Sequence, residues 1–503
     1  MVILTLLLAA AGLTSVFRSI VKPFWFDELC TVIVSDLPTV GDVQAALDNV
    51  ADASPLGYVL AVRAANHLVP DNHLGHRLPS VLGVVTAIAC MYFFLSRRVS
   101  RLAALAGSAF LLCTLLPVYA PEARPYGLLL GCISAAMLAW QRADDGWGAR
   151  IALALTFTAA GAVHYYAVLV WPAFYVAEAT VWLTTRRFRG WVWGAFLTGF
   201  IPFAIFAGRA ANAKRYYGQT FWARATPARI FSAQDSLFGG NDHWGLTIVT
   251  GLTLTLAVVW LAGRAGWTPT VLPRRERWSI PAQDVALTLM LLLLPVTSVA
   301  LALVMNGAMI ARYMLATVLG GALAAGFLAD QAPGLARAML LGLFCANYAF
   351  SFSGELKTAL SSSLLGQRTA QTRRMEALTE LAPEPDLPVV VACGLDYLPL
   401  MYYTPASERR RLFTLIDREA AVRLTGSDSS DLALLALRKY APVQLEDYAG
   451  FLARNREFLL VTWSGETYDW TKPRLLGEGH SLRLLKSVGT FNVYRVTLRD
   501  GAR

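Results

Sequence analysis

Apolar runs of the length that crosses a lipid bilayer recur from residue 1 to about residue 350. Each run is roughly 17 to 25 residues long, which is what a membrane-spanning helix requires. Only 16% of the 503 residues are charged, whereas soluble globular proteins carry about a quarter. The sequence therefore predicts a polytopic α-helical membrane protein with about eleven transmembrane helices.

The pattern becomes that of a soluble protein beyond residue 350. Short β-branched or alternating runs predict three strands, and one amphipathic run predicts a helix. The strands lie at Pro388–Cys393, Glu457–Trp463 and Asn492–Leu498, and the helix lies at Asp431–Tyr440. Strands that alternate with helices are typical of a small α/β domain. We therefore expect a transmembrane domain over 1–350 and a C-terminal soluble α/β domain over 351–503.

Arginines are concentrated in the loops that follow every second predicted span, as the positive-inside rule requires for cytoplasmic loops. They are Arg97, Arg98, Arg101, Arg142, Arg150, Arg186, Arg187, Arg189, Arg264, Arg274, Arg275, Arg277 and Arg337. The opposite side then holds a first outer loop at 21–75, a second outer loop at 208–244, and the C-terminal domain. The net charge of +10 thus follows from topology, and no nucleic-acid partner is expected.

Two amphipathic segments in the first outer loop, at Val40–Val50 and Gly57–Val69, predict short helices on the membrane surface. The second outer loop is an exception to the charge rule because it carries cations on the outer side. They are Arg209, Lys214, Arg215, Arg224 and Arg229. An anionic substrate at the outer face would explain them.

Two carboxylates, Asp27 and Glu28, follow the first predicted span directly. Charged side chains next to hydrocarbon are costly and tend to be kept for function or for solvation at the interface. The simpler interpretation is that the pair marks the water boundary, with neighbouring aromatic residues as interfacial anchors. Asp27 and Glu28 are nevertheless our candidates for catalysis, because further ionisable groups are predicted at the same membrane face.

These groups are Glu122 and Arg124 in the short turn YAPEARPY, His164 at the head of one span, and Arg312 with Tyr313 at the head of another. Each has an ordinary explanation, as an interfacial arginine, a helix-end histidine or a topological charge. Acids and cations gathered at one face of a membrane domain together indicate a site.

The chemistry that fits this set is displacement of a sugar from a lipid-linked phosphate. A carboxylate within hydrogen-bond reach can accept the proton of an attacking hydroxyl. An arginine presents a planar fork that matches phosphate oxygens. Because cations already stabilise the leaving phosphate, no general acid is strictly needed.

The order of these motifs resembles that of the GT-C glycosyltransferases. The acidic pair is followed by Pro55-Leu56-Gly57-Tyr58, Arg77-Leu78-Pro79-Ser80, EARPY at 122–126 and ARY at 311–313. The similarity covers roughly residues 1–330 and is greatest to family 39 and its relatives, the protein O-mannosyltransferases and the lipid A aminoarabinose transferase.

The resemblance implies that Asp27 is the catalytic base and that Glu28 orients the acceptor or assists. Glu122 is then the second acidic position, Arg124 and Arg312 hold the carrier phosphate, and His164 contributes to phosphate or metal binding. The full substrate-binding set is Glu122, Arg124, Tyr126, His164, Tyr165, Arg312, Tyr313 and Arg77.

The chain also departs from the family pattern. Relatives often read His-Pro-Pro-Leu-Tyr where this chain has Ala53-Ser54-Pro55-Leu56-Gly57-Tyr58, so the ligand role of that histidine is missing. The six cysteines show no paired spacing that would indicate a disulfide framework or a zinc motif. No cofactor is established by the sequence, and a divalent metal is left open.

The sequence thus predicts an inverting glycosyltransferase of the EC 2.4 class in the bacterial cytoplasmic (inner) membrane, with an extracytoplasmic C-terminal domain. Its partners would be a polyprenyl-phosphate sugar donor, the lipid bilayer, and an acceptor hydroxyl or phosphate on a glycan, lipid or protein. One alternative is a secondary transporter of an anionic solute, although such proteins usually show internal repeats. A second is a non-catalytic envelope assembly protein, which leaves Asp27 and Glu28 unexplained.

Overall fold

The computed structural model describes residues 1–239, 245–264, 280–305, 307–363, 386–463, 468–488 and 491–499. The chain forms two compact units. The first comprises Met1–Ile20, Ser54–Ala207 and Ala223–Leu356, and the second comprises Val21–Ala53, Gly208–Trp222 and Lys357–Arg503. The division of the chain at residue 350 stays a prediction, and the basic linker with Arg274, Arg275 and Arg277 lies outside the described residues.

Within the described residues, five helices are long and apolar enough to cross a membrane: Val2–Val21, His73–Ser96, Tyr165–Thr185, Gly190–Tyr217 and Gly334–Gly354. A bent pair, Ala282–Leu292 and Leu294–Val304, passes the same test. Four shorter apolar helices lie at Arg101–Cys113, Tyr126–Gln141, Trp147–Val163 and Thr317–Ala329. Further helices are Leu56–Leu68, Leu116–Tyr119, Ala228–Phe238 and Gly245–Arg264. The polytopic helical architecture is confirmed, and the count of about eleven spans stays a prediction.

Two of the predicted spans contain a break in the helix. The span expected at Leu102–Tyr119 changes to a 3-10 turn at Leu111–Cys113. The span expected at Ala282–Met305 bends by 55° between its two halves. Pro295 stands at the start of the second half, where it lacks an N–H and its ring clashes with the carbonyl of the preceding turn.

Small residues bring helix Asn72–Ser96 into close contact with helix Tyr126–Gln141. A Cβ on Gly83 would lie 2.3 Å from the Gly127 carbonyl oxygen, and one on Gly131 would lie 2.7 Å from that of Gly83. Such small-residue faces are how membrane helices approach when lipid offers no hydrophobic driving force. This packing fixes the turn at 120–125, which immediately precedes the second helix.

The second unit contains helices Phe26–Ser35 and Val40–Asp48, followed in the C-terminal part by a six-stranded mixed sheet. Its strands are β1 (Val389–Val391), β2 (Leu412–Ile416), β3 (Leu445–Asp447), β4 (Glu457–Trp463), β5 (Ser481–Val488) and β6 (Phe491–Thr497). The order is β3-β2-β1-β4-β6-β5. Strands β3, β2, β1 and β4 are parallel, and β6 pairs antiparallel with β4 and β5.

The helices of this α/β part are Gly394–Tyr403, Ala406–Arg409, Arg418–Thr425, Ser429–Leu437, Tyr448–Arg454 and Thr471–Gly477. Its core packs the sheet residues Val390, Leu460 and Val496 against Phe451 and Trp470. The α/β character and the three predicted strands are confirmed. The sequence did not predict strands β2, β3 and β5. Strand β3 is only three residues long and ends in an aspartate, and β5 carries the charged residues Arg483 and Lys486.

The predicted outer loops contain more helix than the sequence suggests. The two expected amphipathic helices occur as Val40–Asp48 and Leu56–Leu68, and Phe26–Ser35 is an additional helix. Helix Ile201–Tyr217 continues through the first residues of the second loop, and a 3-10 turn follows at Gly218–Thr220. Residues 240–244 of that loop lie outside the described residues.

Candidate active site

The turn at 120–125 places Arg124 at the head of helix Tyr126–Gln141 in the first unit. The buried Ser80 hydroxyl donates a 2.6 Å hydrogen bond to the Arg124 carbonyl oxygen. The Arg124 guanidinium donates through Nη2 to the Tyr126 hydroxyl at 3.3 Å and lies 5.6 Å from the centre of that ring. Hydrogen bonds therefore fix the position of both the backbone and the side chain of Arg124.

Arg312 is far from Arg124 in sequence and lies in a 3-10 turn at Ala311–Met314 of the first unit. Its guanidinium lies 6.0 Å from the centre of the Tyr313 ring. Tyr313 stacks on Tyr166 at a centroid distance of 4.1 Å, and the Tyr166 hydroxyl donates to the Ala308 carbonyl oxygen at 3.2 Å. The position of the second arginine is thus set by aromatic packing.

A chain of rings joins the two arginines, and His164 lies in the middle of it. The His164 ring centroid is 5.2 Å from that of Tyr126, 5.5 Å from that of Tyr166 and 6.3 Å from that of Tyr313. Tyr119 extends the chain, with its ring 5.0 Å from Tyr126. These residues, together with Arg124 and Arg312, are called the arginine–tyrosine cluster below.

His164 is buried between the end of helix Trp147–Val163 and the 3-10 turn Tyr165–Leu169. Its Nδ1 accepts a 3.0 Å hydrogen bond from the Tyr166 backbone N–H, so the ring proton resides on Nε2 and is available for donation.

One carboxylate accompanies the two guanidinium groups. Glu122 is 5% exposed, and Glu122, Arg124 and Arg312 all act electrostatically on the Tyr119 hydroxyl. With Glu122 added to the cluster, the charged groups named here are two cations and one anion. A neutral histidine leaves this balance positive, which suits an anionic ligand.

Arg77 and Tyr165 complete the predicted binding set in the first unit. Arg77 is fully buried, and its Nη1 donates a 2.7 Å hydrogen bond to the Ser19 carbonyl oxygen in the last turn of helix Val2–Val21. That contact satisfies a helix-end carbonyl, which is a structural role. Tyr165 is partly buried and begins the 3-10 turn after His164. The binding roles predicted for both residues stay predictions.

Asp27 belongs to the second unit, in the first turn of helix Phe26–Ser35. Its neighbour Glu28 is fully buried and accepts the Trp25 backbone N–H at 3.4 Å, which supports the start of the helix. The Phe24 backbone N–H donates to the Tyr403 hydroxyl at 2.7 Å. A helix N-terminus is a favourable place for negative charge, and the partly exposed Asp27 side chain occupies it.

Two residues that the sequence did not single out lie near Asp27 in the same unit. Asp52 is buried and accepts a 2.7 Å hydrogen bond from the Thr31 hydroxyl. Asp27 and Asp52 both act electrostatically on the Tyr217 hydroxyl. The position of Asp52, just before the Ser54-Pro55 helix start, was the available sequence signal. We call Asp27, Asp52 and Tyr217 the acidic cluster.

Within the described residues, no group of three or more His, Cys, Asp or Glu side chains is arranged to hold a metal ion. His164 has one ring nitrogen engaged by a backbone N–H. The metal role that the resemblance allows for His164 thus finds no further ligands in this part of the chain.

The chain combines apolar helices long enough to span a membrane with an α/β domain. The chain is similar to the crystal structure of ArnT from Cupriavidus metallidurans bound to undecaprenyl phosphate, with a TM-score of 0.57. The two share 13% sequence identity, and the match covers 98% of this chain and 97% of that one.

The apo-state crystal structure of the same ArnT matches over the same shares at 13% identity, with a TM-score of 0.45. No protein-family model matches the chain, and no curated protein matches its sequence. The likeness to the structure bound to undecaprenyl phosphate shows the fold, and the predicted polytopic helical fold with a C-terminal α/β domain is confirmed.

Proposed function

We propose that the protein is a glycosyltransferase that uses a polyprenyl-phosphate-linked sugar at the outer face of the bacterial cytoplasmic membrane. The observation that carries the proposal is the arginine–tyrosine cluster, in which the rings of Tyr126 and Tyr313, which lie beside Arg124 and Arg312, both approach the buried His164. The similar fold of ArnT, which was crystallised with undecaprenyl phosphate, supports the same class of carrier.

The cluster supplies the donors that a phosphate group requires. The guanidinium groups of Arg124 and Arg312 offer forked N–H pairs, and the Nε2–H of His164 offers a neutral donor. Hydrogen bonds to a charged phosphate are shorter and about twice as strong as those between neutral groups. When the sugar leaves, the same donors stabilise the negative charge that returns to the carrier phosphate.

Asp27 is the proposed general base. The acceptor oxygen attacks the anomeric carbon, the bond from that carbon to the carrier phosphate oxygen breaks, and the phosphate keeps the electron pair. The proton of the attacking hydroxyl passes to the Asp27 carboxylate. A single displacement of this kind inverts the anomeric configuration. Glu28 contributes through its contact with Trp25, which supports the helix start that presents Asp27.

Carrier binding tests the proposal most sharply. Undecaprenyl phosphate should bind the purified protein in lipid nanodiscs, and Arg124→Ala or Arg312→Ala should weaken binding about tenfold to a hundredfold, as expected for loss of charged hydrogen bonds. The Lys variants should bind better than the Ala variants, because they keep the charge and lose only the fork. Arg187→Ala is the control, since Arg187 is exposed and distant in sequence from the cluster. Equal binding by all variants would contradict the proposal.

A further inference from the structure

The helix that carries Asp27, Phe26–Ser35, packs on helix Gly394–Tyr403 of the α/β domain, within the second unit. Phe24 lies just before the first helix and is fully buried. Its ring meets the ring of Tyr402 edge to face, at 6.1 Å between centroids. The segment that leads into the helix of Asp27 is therefore packed against the last turn of a helix that lies far away in sequence.

A backbone hydrogen bond fixes the same segment. The Phe24 backbone N–H donates to the Tyr403 hydroxyl oxygen at 2.7 Å. A buried backbone N–H that precedes a helix needs a partner from outside the helical ladder. The N–H of the next residue, Trp25, donates to Glu28 Oε2 at 3.4 Å. The start of the helix is thus held by Glu28 from its own first turn and by Tyr403 from the α/β domain.

Asp27 lies in the first turn of this helix, three residues after Phe24. A shift of the Phe24 backbone would therefore move the Asp27 carboxylate with it. The middle of the helix is held separately, because the Thr31 hydroxyl donates to Asp52 at 2.7 Å. Loss of the Tyr403 contact should then displace the first turn and leave the rest of the helix in place. For a catalytic group, a displacement of about 1 Å can cost about a hundredfold in rate.

We propose that Tyr403 is a positioning residue for the general base: its hydroxyl holds the Phe24 backbone and, through it, the Asp27 carboxylate. The inference rests on the proposed function, in which Asp27 accepts the proton of the attacking hydroxyl. It gives the α/β domain a part in the transfer step. Tyr403 itself neither takes the proton nor binds the carrier phosphate.

Tyr440 offers a matched control for this contact. Its hydroxyl also accepts a hydrogen bond from the first outer loop, from the Asn49 side-chain amide at 2.8 Å. Asn49 follows helix Val40–Asp48, and not the helix of Asp27. Tyr440→Phe therefore removes a tyrosine hydroxyl between the same two parts of the chain and leaves the contacts of Phe24 intact.

The test measures sugar transfer by the full-length protein. The donor is polyprenyl-phosphate sugar radiolabelled in host cells, and the acceptor is the solubilised envelope of cells that lack the protein. Tyr403→Phe should lower kcat about threefold to tenfold, the range for one lost hydrogen bond. The KM for the donor and the binding of undecaprenyl phosphate should not change. Tyr440→Phe should leave kcat unchanged.

A double variant shows whether Tyr403 acts through Asp27. In the Asp27→Asn background, Tyr403→Phe should lower the rate by less than about twofold, because no base remains to be positioned. Amide hydrogen exchange reports the contact without any need for activity. Exchange in the segment Phe24–Leu29 should be faster in Tyr403→Phe than in the wild type, and it should be unchanged in Tyr440→Phe.

The outcomes separate the role of Tyr403 from the proposed function. An unchanged kcat in Tyr403→Phe, or an equal loss in Tyr440→Phe, would overturn the positioning role while the glycosyltransferase stands. So would a loss of the same size in the wild-type and Asp27→Asn backgrounds, or unchanged exchange in Phe24–Leu29. Absence of transfer by the wild-type protein would overturn the proposed function and this inference with it.

Discussion

Asp431, in the second unit, should make the stability of the protein depend on pH. Its side chain lies in the first turn of helix Ser429–Leu437 and is 4% exposed, and its Oδ2 atom has no hydrogen-bond partner within the described residues. Burial, and secondarily the negative charge of Asp428, raise the pKa of Asp431 from 3.8 to about 7. The folded protein thus favours the protonated acid, whereas the unfolded chain ionises near its ordinary value.

The difference between the folded and unfolded pKa values sets the sign and the size of the effect of pH on the free energy of unfolding. A raised folded-state pKa gives stabilisation that is complete below about pH 4 and is lost as the pH rises through about 7. A difference of about three pKa units corresponds to about 4 kcal/mol between these limits, at about 1.4 kcal/mol per unit. Asp431→Asn cannot ionise, so it should remove this loss. For a domain of this size, we expect a melting temperature roughly 8 °C or more above the wild type at pH 8.

The assay is thermal melting of the detergent-purified protein, followed by near-ultraviolet circular dichroism at pH 5 and pH 8. At pH 5 the difference in melting temperature between Asp431→Asn and the wild type should be less than half of that at pH 8, because pH 5 lies only about one unit above the pKa of the unfolded chain. Asp428→Ala is the contrasting variant: it removes the contacts to Thr220 and Arg418, so it should lower the melting temperature at both pH values. Parallel pH profiles for the wild type and Asp431→Asn would refute the reasoning.

The remaining predictions concern the base, the helix packing and the topology. Asp27→Asn should lower transfer at least about a hundredfold while undecaprenyl phosphate binding persists, and Glu28→Gln should reduce it less; near-normal turnover in Asp27→Asn would place the base elsewhere. Gly83→Ala should destabilise the first unit by about 1–3 kcal/mol in thermal melting, because its Cβ would meet backbone atoms at 2.3–2.5 Å. Gly194→Ala, with nothing within 4 Å, should not destabilise it, and equal effects would contradict the packing argument. A reporter enzyme fused near Arg187 should be active in the cytoplasm and one at the C-terminus outside it; a cytoplasmic C-terminus would contradict the orientation.

The sequence predicted those features of the fold that depend on local pattern. The apolar runs specify membrane helices, and the run Glu457–Trp463 coincides with β4. The breaks in the predicted spans depend instead on local backbone geometry within the packed bundle. The segments Leu111–Cys113 and Ala311–Met314 are apolar enough for their hydropathy to be typical of a continuous membrane helix. Hydropathy alone therefore does not reveal the 3-10 turns that they form.

The sequence predicted those residues of the candidate site that belong to recognisable motifs. Arg124, Arg312, His164 and Tyr126 were chosen from separate motifs, and the structure brings them into one cluster; their roles stay predictions. Asp52 and Tyr217 could not be chosen, because an isolated aspartate and a tyrosine at a helix end have no distinctive pattern. The fold brings Asp52 against the helix that carries Asp27, through the hydrogen bond from Thr31.

The most direct test of the central claim is mass spectrometry of the envelope lipids and glycans of host cells that express either the wild-type protein or Asp27→Asn at equal levels. If the protein transfers a sugar from a polyprenyl carrier, the variant strain should lack one sugar-sized addition on a glycan, lipid or protein and should accumulate the polyprenyl-phosphate sugar. Identical envelope products and identical carrier lipids in the two strains would contradict the account.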